Sequence, residues 1–197
     1  MNTTLLKVLS ATVCIISLYG CSNGDDGTGS KRNNGIGSSS SSLGGSYNIT
    51  SIESNIYVDL NNDGITSTDL FNEIDPSYFD SANPELIIKP VLYNNQLKEM
   101  MSFYLPHSTV TVPSQNNPGS VKFSRNGVGY IYQFDKNTQA ISIEDSGTAT
   151  DPSVYGHMEN ITVIGPNMLQ AVFTKYFYDF STTQWQVLTI TCIYTKV

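Results

Sequence analysis

Leu188-Thr189-Ile190-Thr191-Cys192-Ile193-Tyr194-Thr195 decides the fold class. Leu188, Ile190, Cys192 and Tyr194 fall on one face of an extended chain, with Thr189, Thr191 and Thr195 on the other. That period of two belongs to a β-strand with one side buried. Working back from it, apolar or aromatic runs recur at 47–52, 56–58, 86–93, 100–105, 109–112, 121–124, 128–134, 140–143, 161–164, 169–180 and 185–197. Turn-forming residues separate them: Asn116-Asn117-Pro118-Gly119, Asn126-Gly127, Asp135-Lys136-Asn137, Asp151-Pro152, Gly165-Pro166-Asn167 and Ser181-Thr182-Thr183. Asn126-Gly127, set between two apolar runs, is the strongest hairpin signal of the set. The pattern predicts an all-β domain, an antiparallel up-and-down meander forming a barrel, or a half-open barrel or sandwich.

The 197 residues suffice for one domain with a real core. Hydrophobic residues make up 39% and charged ones only 14%, with 12 tyrosines, a mixture that suits a β-rich domain outside the cytoplasm. A net charge of −7 and a pI near 4.6 argue against nucleic acid and anionic membrane surfaces as partners. They suit an exported protein that binds cations.

Residues 1–20 read as an export signal, with Lys7 as the positive region and Val8 to Leu18 as the apolar one. The apolar run is too short, and too soon followed by polar residues, to span a membrane. It ends in Leu18-Tyr19-Gly20-Cys21, which resembles the bacterial lipobox, although Tyr19 stands where a small residue is usual. That resemblance implies cleavage before Cys21 and a diacylglycerol on its sulfur; the alternative is an ordinary secretory signal cut elsewhere. Each buried CH₂ contributes about 0.8 kcal/mol, so two or three acyl chains hold a protein lastingly at a membrane. Residues 21–45 then form the lipidated cysteine and a Gly/Ser-rich tether. As a flexible coil the tether spans roughly 25–30 Å, and residues 46–197 form the β domain. Asp25-Asp26 resembles the acidic export signal of Bacteroidota surface lipoproteins, and the resemblance implies an outer membrane or the cell surface; the alternative is that the pair serves solubility alone. With Cys14 lost and Cys21 lipidated, Cys192 has no partner and reads as a small buried hydrophobe.

The chemically informative stretch is Asp59-Leu60-Asn61-Asn62-Asp63-Gly64-Ile65. Ca²⁺ takes six to eight oxygens, and alternate residues of a tight loop can aim carboxylates and amides at one point. Asp59, Asn61 and Asp63 take loop positions one, three and five; Gly64 supplies the bend, and Ile65 offers a carbonyl. An EF-hand or dockerin loop resembles this but carries an acid at position twelve, where this chain has Leu70. Residues 68–74 are expected to form a short helix stopped by Pro76, with Asp69 first and Glu73 second as the closing ligand. The alternative is a metal-free turn whose Asp and Asn side chains bond their own backbone.

Together Gly45-Ser46-Tyr47-Asn48-Ile49-Thr50-Ser51-Ile52, the stretch from Val58 to Leu70 and the closing Ile193-Tyr194-Thr195-Lys196-Val197 resemble the lipocalin-like lipoproteins of Bacteroidota. The resemblance covers residues 45–197 and implies a small up-and-down barrel with no common ligand. The chain departs from the family with Tyr47 where a Trp is usual, and with Asp75-Pro76-Ser77-Tyr78 where many members carry a cysteine.

His107 and His157 have no partners at metal spacing, and no nucleophile elbow or phosphate-binding glycine loop is present. The adjacent Glu144-Asp145 point to opposite faces of a strand. Tyr130, Tyr132 and Phe134 form an aromatic stripe, as do Tyr176 and Tyr178; such stripes fill a barrel core or line a ligand pocket. Asp80-Ser81-Ala82 resembles a short O-glycosylation motif. The sequence therefore points to a membrane-anchored lipoprotein with a non-enzymatic binding or structural domain, holding a small apolar or glycan ligand and one tentative Ca²⁺. The alternatives are a glycosidase-type hydrolase, which needs two converging acids about 5–10 Å apart, and an adhesive spacer. Oligomeric state is not legible.

Overall fold

A computed structural model describes residues 43–79, 82–147 and 154–197. The expected export signal, Cys21, tether residues 22–42, Asp80-Ser81 and Asp151-Pro152 lie outside the described residues, as does the side chain of Asp145; the last three residues expected in the tether belong to the domain, with Leu43 buried in the core and Gly45 opening β1. The described chain is all-β: β1 Gly45–Val58, β2 Ser67–Asp69, β3 Leu86–Tyr93, β4 Gln96–Thr111, β5 Ser120–Asp135, β6 Ala140–Gly147, β7 His157–Gly165, β8 Met168–Asp179 and β9 Gln184–Lys196. All pairings are antiparallel, in one sheet of order β6-β5-β4-β3-β1-β9-β8-β7, with β2 added beside β1. The eight long strands thus run up and down in chain order. The first meets the last at β1–β9, and the sheet stays open between β6 and β7.

One end of this half-open barrel, the lower, holds the start of β1 and the turns β3–β4, β5–β6 and β7–β8. The other, upper end holds the 59–66 loop, the β4–β5 connection and the β8–β9 turn. Lower turns are tight: Asn94 and Asn95 both take positive φ (50° and 60°), which a two-residue hairpin with the twist of its strands requires. Asn tolerates that region because its short side chain bonds locally.

Three expectations change. Asn126-Gly127 is not a turn but lies inside β5, paired with Leu105 and Tyr104. Its glycine is needed for close approach, since a Cβ there would stand 2.9 Å from the Tyr104 ring. The helix expected over 68–74 does not form. Ser67–Asp69 is a strand beside β1, residues 70–74 make a single turn closed by Ile74 N to Leu70 O (3.0 Å), and the helical piece is a 3₁₀ turn, Pro76–Phe79. Pairing with β1 satisfies backbone groups that a helix of about two turns would leave open. Tyr176 and Tyr178 lie on the outer face of β8, because Leu169, Ala171, Phe173 and Phe177 hold the inner phase.

The inner face is filled. Phe103 stands at the centre, edge-to-face with Phe173 (5.2 Å), Tyr194 (5.6 Å) and Tyr130 (5.9 Å). Tyr132, Met101, Ile190 and Cys192 surround it, with Phe134 packed at the margin. An eight-stranded barrel has an interior just wide enough for such side chains. Burial pushes the Cys192 thiol up to about 12; its contact with Tyr194 opposes that rise and the Glu85 charge adds to it, so the thiol stays protonated and inert. One cation is enclosed. Lys175 is fully buried, donates to the Val154 carbonyl and lies over the Phe177 ring at 5.6 Å.

Phe103→Ala should therefore cost about 3–5 kcal/mol in urea unfolding, the usual range for emptying an aromatic core site. Leu92→Ala, at a position 74% exposed, should change stability by under about 0.5 kcal/mol.

Candidate metal loop and the groove beside it

Val58 ends β1, and the chain turns sharply before returning as β2. The turn is built from side chains that capture the backbone just ahead of them. The Asp59 carboxylate accepts from Asn62 N (2.7 Å) and Gly64 N (3.0 Å). Asn61 Oδ1 accepts from Asp63 N (3.0 Å), and Asp63 Oδ1 from Ile65 N (2.8 Å). Asn62 (φ 65°) and Gly64 (φ 81°) take the left-handed conformation this winding demands. Asn61 also donates to Asp63 Oδ2 (3.0 Å) and to the Asn72 carbonyl (3.1 Å), which ties the loop to the turn after β2. The Ile65 side chain is exposed.

Of the two acids expected to close the site, Glu73 is the one turned to the loop. It is buried and accepts from Leu60 N (2.8 Å). Burial first, then the nearby charges of Asp59 and Asp63, push its carboxyl up from the ordinary 4.5 to about 7, against the hydrogen bonds from Leu60 and Asn61. Asp69 is exposed and caps Phe71 N (3.0 Å), away from that cluster. A further acid, missed in the sequence, anchors the loop from behind. Buried Asp179 accepts from Asp59 N (3.0 Å), Ser181 N (3.0 Å), Ser181 Oγ (2.8 Å) and Thr182 Oγ1 (2.8 Å). Burial alone would raise its carboxyl, but these hydrogen bonds outweigh it and hold the group below the ordinary range. The signal was Asp179-Phe180-Ser181-Thr182, an acid followed by hydroxyls at turn spacing.

Hard oxygen donors are what Ca²⁺ requires, and Asp59, Asn61, Asp63 and Glu73 supply them from one small region. Among the described residues no three His, Cys, Asp or Glu side chains already converge as a metal cage. An ion here would have to draw them inward.

Beside the loop runs a groove of about 670 Å³ between residues 71–78 and the start of β5, lined by Phe71, Asp75, Tyr78, Lys122, Phe123 and Arg125, among others. Arg125 forms its floor. Its guanidinium donates to the carbonyls of Tyr78 (3.0 Å) and Pro84 (2.8 Å) and to Glu85 (3.1 Å), between the rings of Tyr78 (5.2 Å) and Tyr104 (5.4 Å). Hydrogen bonds from Ser77 hold the exposed Asp75 carboxyl below the ordinary range. Of the aromatic candidates, Tyr130 and Tyr132 are buried in the core and Tyr130 Oη accepts from Met158 N (3.3 Å). Phe134 borders a smaller hollow of about 310 Å³ at the lower end, with Lys98 and Glu144 paired across it at 2.9 Å. Tyr176 and Tyr178 belong to neither space.

The Glu73 carboxyl carries a pH prediction. Between the ordinary 4.5 and about 7 the folded chain keeps a proton that the unfolded chain has lost. Stability should therefore fall as pH rises through that interval. In chelator the thermal midpoint should be lower at pH 8 than at pH 5, and Glu73→Gln, which keeps an acceptor for Leu60 N, should flatten the difference. Compared with protein-family models, with curated proteins and with solved structures, the chain matches none.

Proposed function

We propose that this chain is an envelope lipoprotein, anchored through lipid on Cys21 and facing away from the cytoplasm at an outer membrane or cell surface. Its β domain is a non-enzymatic binding or structural module, of lipocalin-like form, steadied by one Ca²⁺ in the 59–73 loop. The observation that carries this reading is the use made of the buried acids. Asp59, Glu73, Glu85 and Asp179 each accept a backbone N–H, which is structural work. A packed interior supports the same reading, and suits a spacer as well as a binder.

Asp59, Asn61, Asp63 and Glu73, with the Ile65 carbonyl, are the groups that would hold the ion. Asp69 would join only by leaving the Phe71 amide. The cation would supply charge neutralisation, which offsets the cost of burying Glu73 and relieves its repulsion from Asp59 and Asp63. A hydrolase draws on one fact: Glu73 and Asp75 both line the groove with their carboxyls shifted in opposite directions, the pattern of an acid–base pair. Glu73 is spent on Leu60 N and buried, which weakens that reading.

Two outcomes test the proposal. Millimolar Ca²⁺ should raise the thermal midpoint over that in chelator, by the equivalent of roughly 2.7 kcal/mol at a hundredfold excess over Kd, and Asp63→Ala should abolish the shift. An unchanged midpoint would make the loop a turn only. Cys21→Ala should release the protein from the membrane fraction; a variant that still sediments with membranes would remove the anchor.

A further inference from the structure

We propose that the upper, unpaired edge of β5, from Ser120 to Val128, takes an extended segment of a partner polypeptide as an added strand, with alternate side chains of that segment lodged in the groove beside it. The inference names the partner of the binding module proposed above and rests on that reading; neither the lipid nor the cation enters it.

The strand register leaves this edge open. On one side β4 pairs with β5 without a shift, from Glu99 opposite Tyr132 to Thr111 opposite Ser120. On the other side β6 covers only the lower part, from Gly129 opposite Gly147 to Asp135 opposite Ala140. Above Gly129 no hydrogen bond from the described residues reaches the main chain of β5 on the side away from β4. Residues of an antiparallel strand aim their N–H and C=O alternately to its two sides, so every second residue from Ser120 to Val128 presents both groups at that edge.

Two other edges of the sheet are guarded. β7 shifts register between Met158 and Asn160 and again between Val163 and Gly165, and such bulges spoil an edge as a template. Below Gly45, where β1 begins, the β3 edge carries Pro90, which has no N–H to offer. The upper edge of β5 has neither device: its register is unbroken and no proline lies within it. Of its two charged residues, Arg125 is turned onto Tyr78, Pro84 and Glu85, which leaves Lys122.

The groove follows the same edge. Every residue from Val121 to Arg125 lines it. Neighbouring residues of a strand point to opposite faces, so a space that all of them meet runs along the edge rather than over one face. The far wall is the segment 71–78, and the volume of about 670 Å³ falls in the range of specific ligand sites. That wall is braced before anything enters. Phe71 meets Phe79 edge to face at 4.6 Å, Phe79 meets Tyr78 at 4.9 Å, and the Arg125 guanidinium lies over the Tyr78 ring at 5.2 Å. Groups already held in place lose little freedom on binding.

This chemistry selects an extended polypeptide. A strand edge offers N–H donors and C=O acceptors at a fixed repeat, which another extended main chain matches along its length. Phe71, Val121 and Phe123 suit apolar side chains at every second position of the incoming segment. Asp75 lines the same groove and is exposed, and hydrogen bonds from Ser77 hold its carboxyl below the ordinary range, so it is charged at neutral pH. With a net charge of −7 on the whole chain, that carboxylate favours a segment carrying a basic residue among its apolar ones.

The chain from Ser22 onward retains every described element and serves for the test. Selection from a displayed library of random dodecapeptides should yield binders in which apolar residues alternate and at least one residue is basic. When the best binder is added as an acetylated, amidated peptide, amides within 120–128 should gain protection from hydrogen exchange. Methylating every second amide nitrogen of that peptide should abolish binding in one phase and spare it in the other, because only one phase faces the edge. Phe123→Ala should weaken binding by about tenfold or more, the worth of one lost aromatic contact. Asp75→Asn should weaken it at low salt and much less at high salt. Circular dichroism checks both variants, and the methylated peptides leave the protein itself untouched. A library that yields no binder overturns the proposal and leaves the domain a spacer. A binder that tolerates methylation in both phases, or protects no amide within 120–128, overturns this site while the domain remains a binding module. A dimer in sedimentation, with 120–128 protected before any peptide is added, gives the edge to a second copy and overturns the partner assignment.

Discussion

Backbone N–H groups that no strand can pair are the constraint on which this domain depends, and buried carboxylates answer them. Four acids are buried among the described residues, Asp59, Glu73, Glu85 and Asp179. Each takes at least one main-chain amide. An unsatisfied buried amide costs about 1–3 kcal/mol, so an irregular segment can enter a β wall only where acceptors are supplied. Such a segment exists because β1 and β3 pair over only Gly45 to Tyr47. Beyond that point β1 leaves its edge open, and residues 67–79 and 82–85 fill the breach. Glu85 accepts from Ile49 N (2.9 Å), Leu70 N donates to Ile52 O (2.9 Å), and β2 covers the rest. On the opposite side Tyr104 N reaches Glu85 O (2.7 Å), and Tyr78 Oη reaches Tyr104 O (2.9 Å). Arg125 then neutralises Glu85 and binds two carbonyls of the same segment, which secures the patch in the wall.

Asp179 does for the upper end what Glu85 does for the side. It accepts from the start of the 59–66 loop and from the β8–β9 turn, and Phe180 N returns a bond to Asp59 O (2.8 Å). Asn62 Nδ2 reaches the Pro118 carbonyl (3.1 Å), so the β4–β5 connection joins the same assembly. The loop and the β8–β9 turn therefore share one buried anchor while exposing different side chains. A rigid base with chemically distinct surfaces is how a sheet carries more than one kind of contact.

The strands were legible in the sequence because period two survives wherever one face is buried. Leu188, Ile190, Cys192 and Tyr194 are all buried, in the phase the alternation predicts. The errors have separate causes. Asn126-Gly127 has the composition of a hairpin turn, but a glycine also serves where a ring crosses closely, and only the partner strand, with Tyr104, decides which. Asn94-Asn95, the true two-residue turn, lacks glycine and drew no notice. Residues 68–74 have caps and spacing for a helix; the open edge of β1 outweighs that propensity, and such an edge cannot be seen locally. Tyr176 and Tyr178 look like an inner stripe until Lys175 and Phe177 are found holding the inner positions. A lysine inside is the last reading local pattern would choose. Glu85 and Arg125 are forty residues apart with no spacing rule to join them. The metal loop was readable in its first half, where ligands and backbone are local, and not in its second, where Glu73 is placed by the fold.

A small barrel with a filled centre also fixes where function can sit. Phe103 and its three aromatic neighbours occupy the volume that a larger barrel would give to a ligand. Recognition is thereby moved to the ends and the outer wall. At the lower end short two-residue turns such as Asn94-Asn95 and Pro166-Asn167 keep the backbone close to its strands and offer few side chains. The upper end has the long connections, the acid-lined loop and the groove floored by Arg125. Exposed apolar pairs stand on the wall at both ends, Leu92 opposite Leu97 at the lower and Tyr176 opposite Val187 at the upper. Such pairs each contribute roughly 0.2–1 kcal/mol to the sheet, so the wall gains stability from side chains that still face outward.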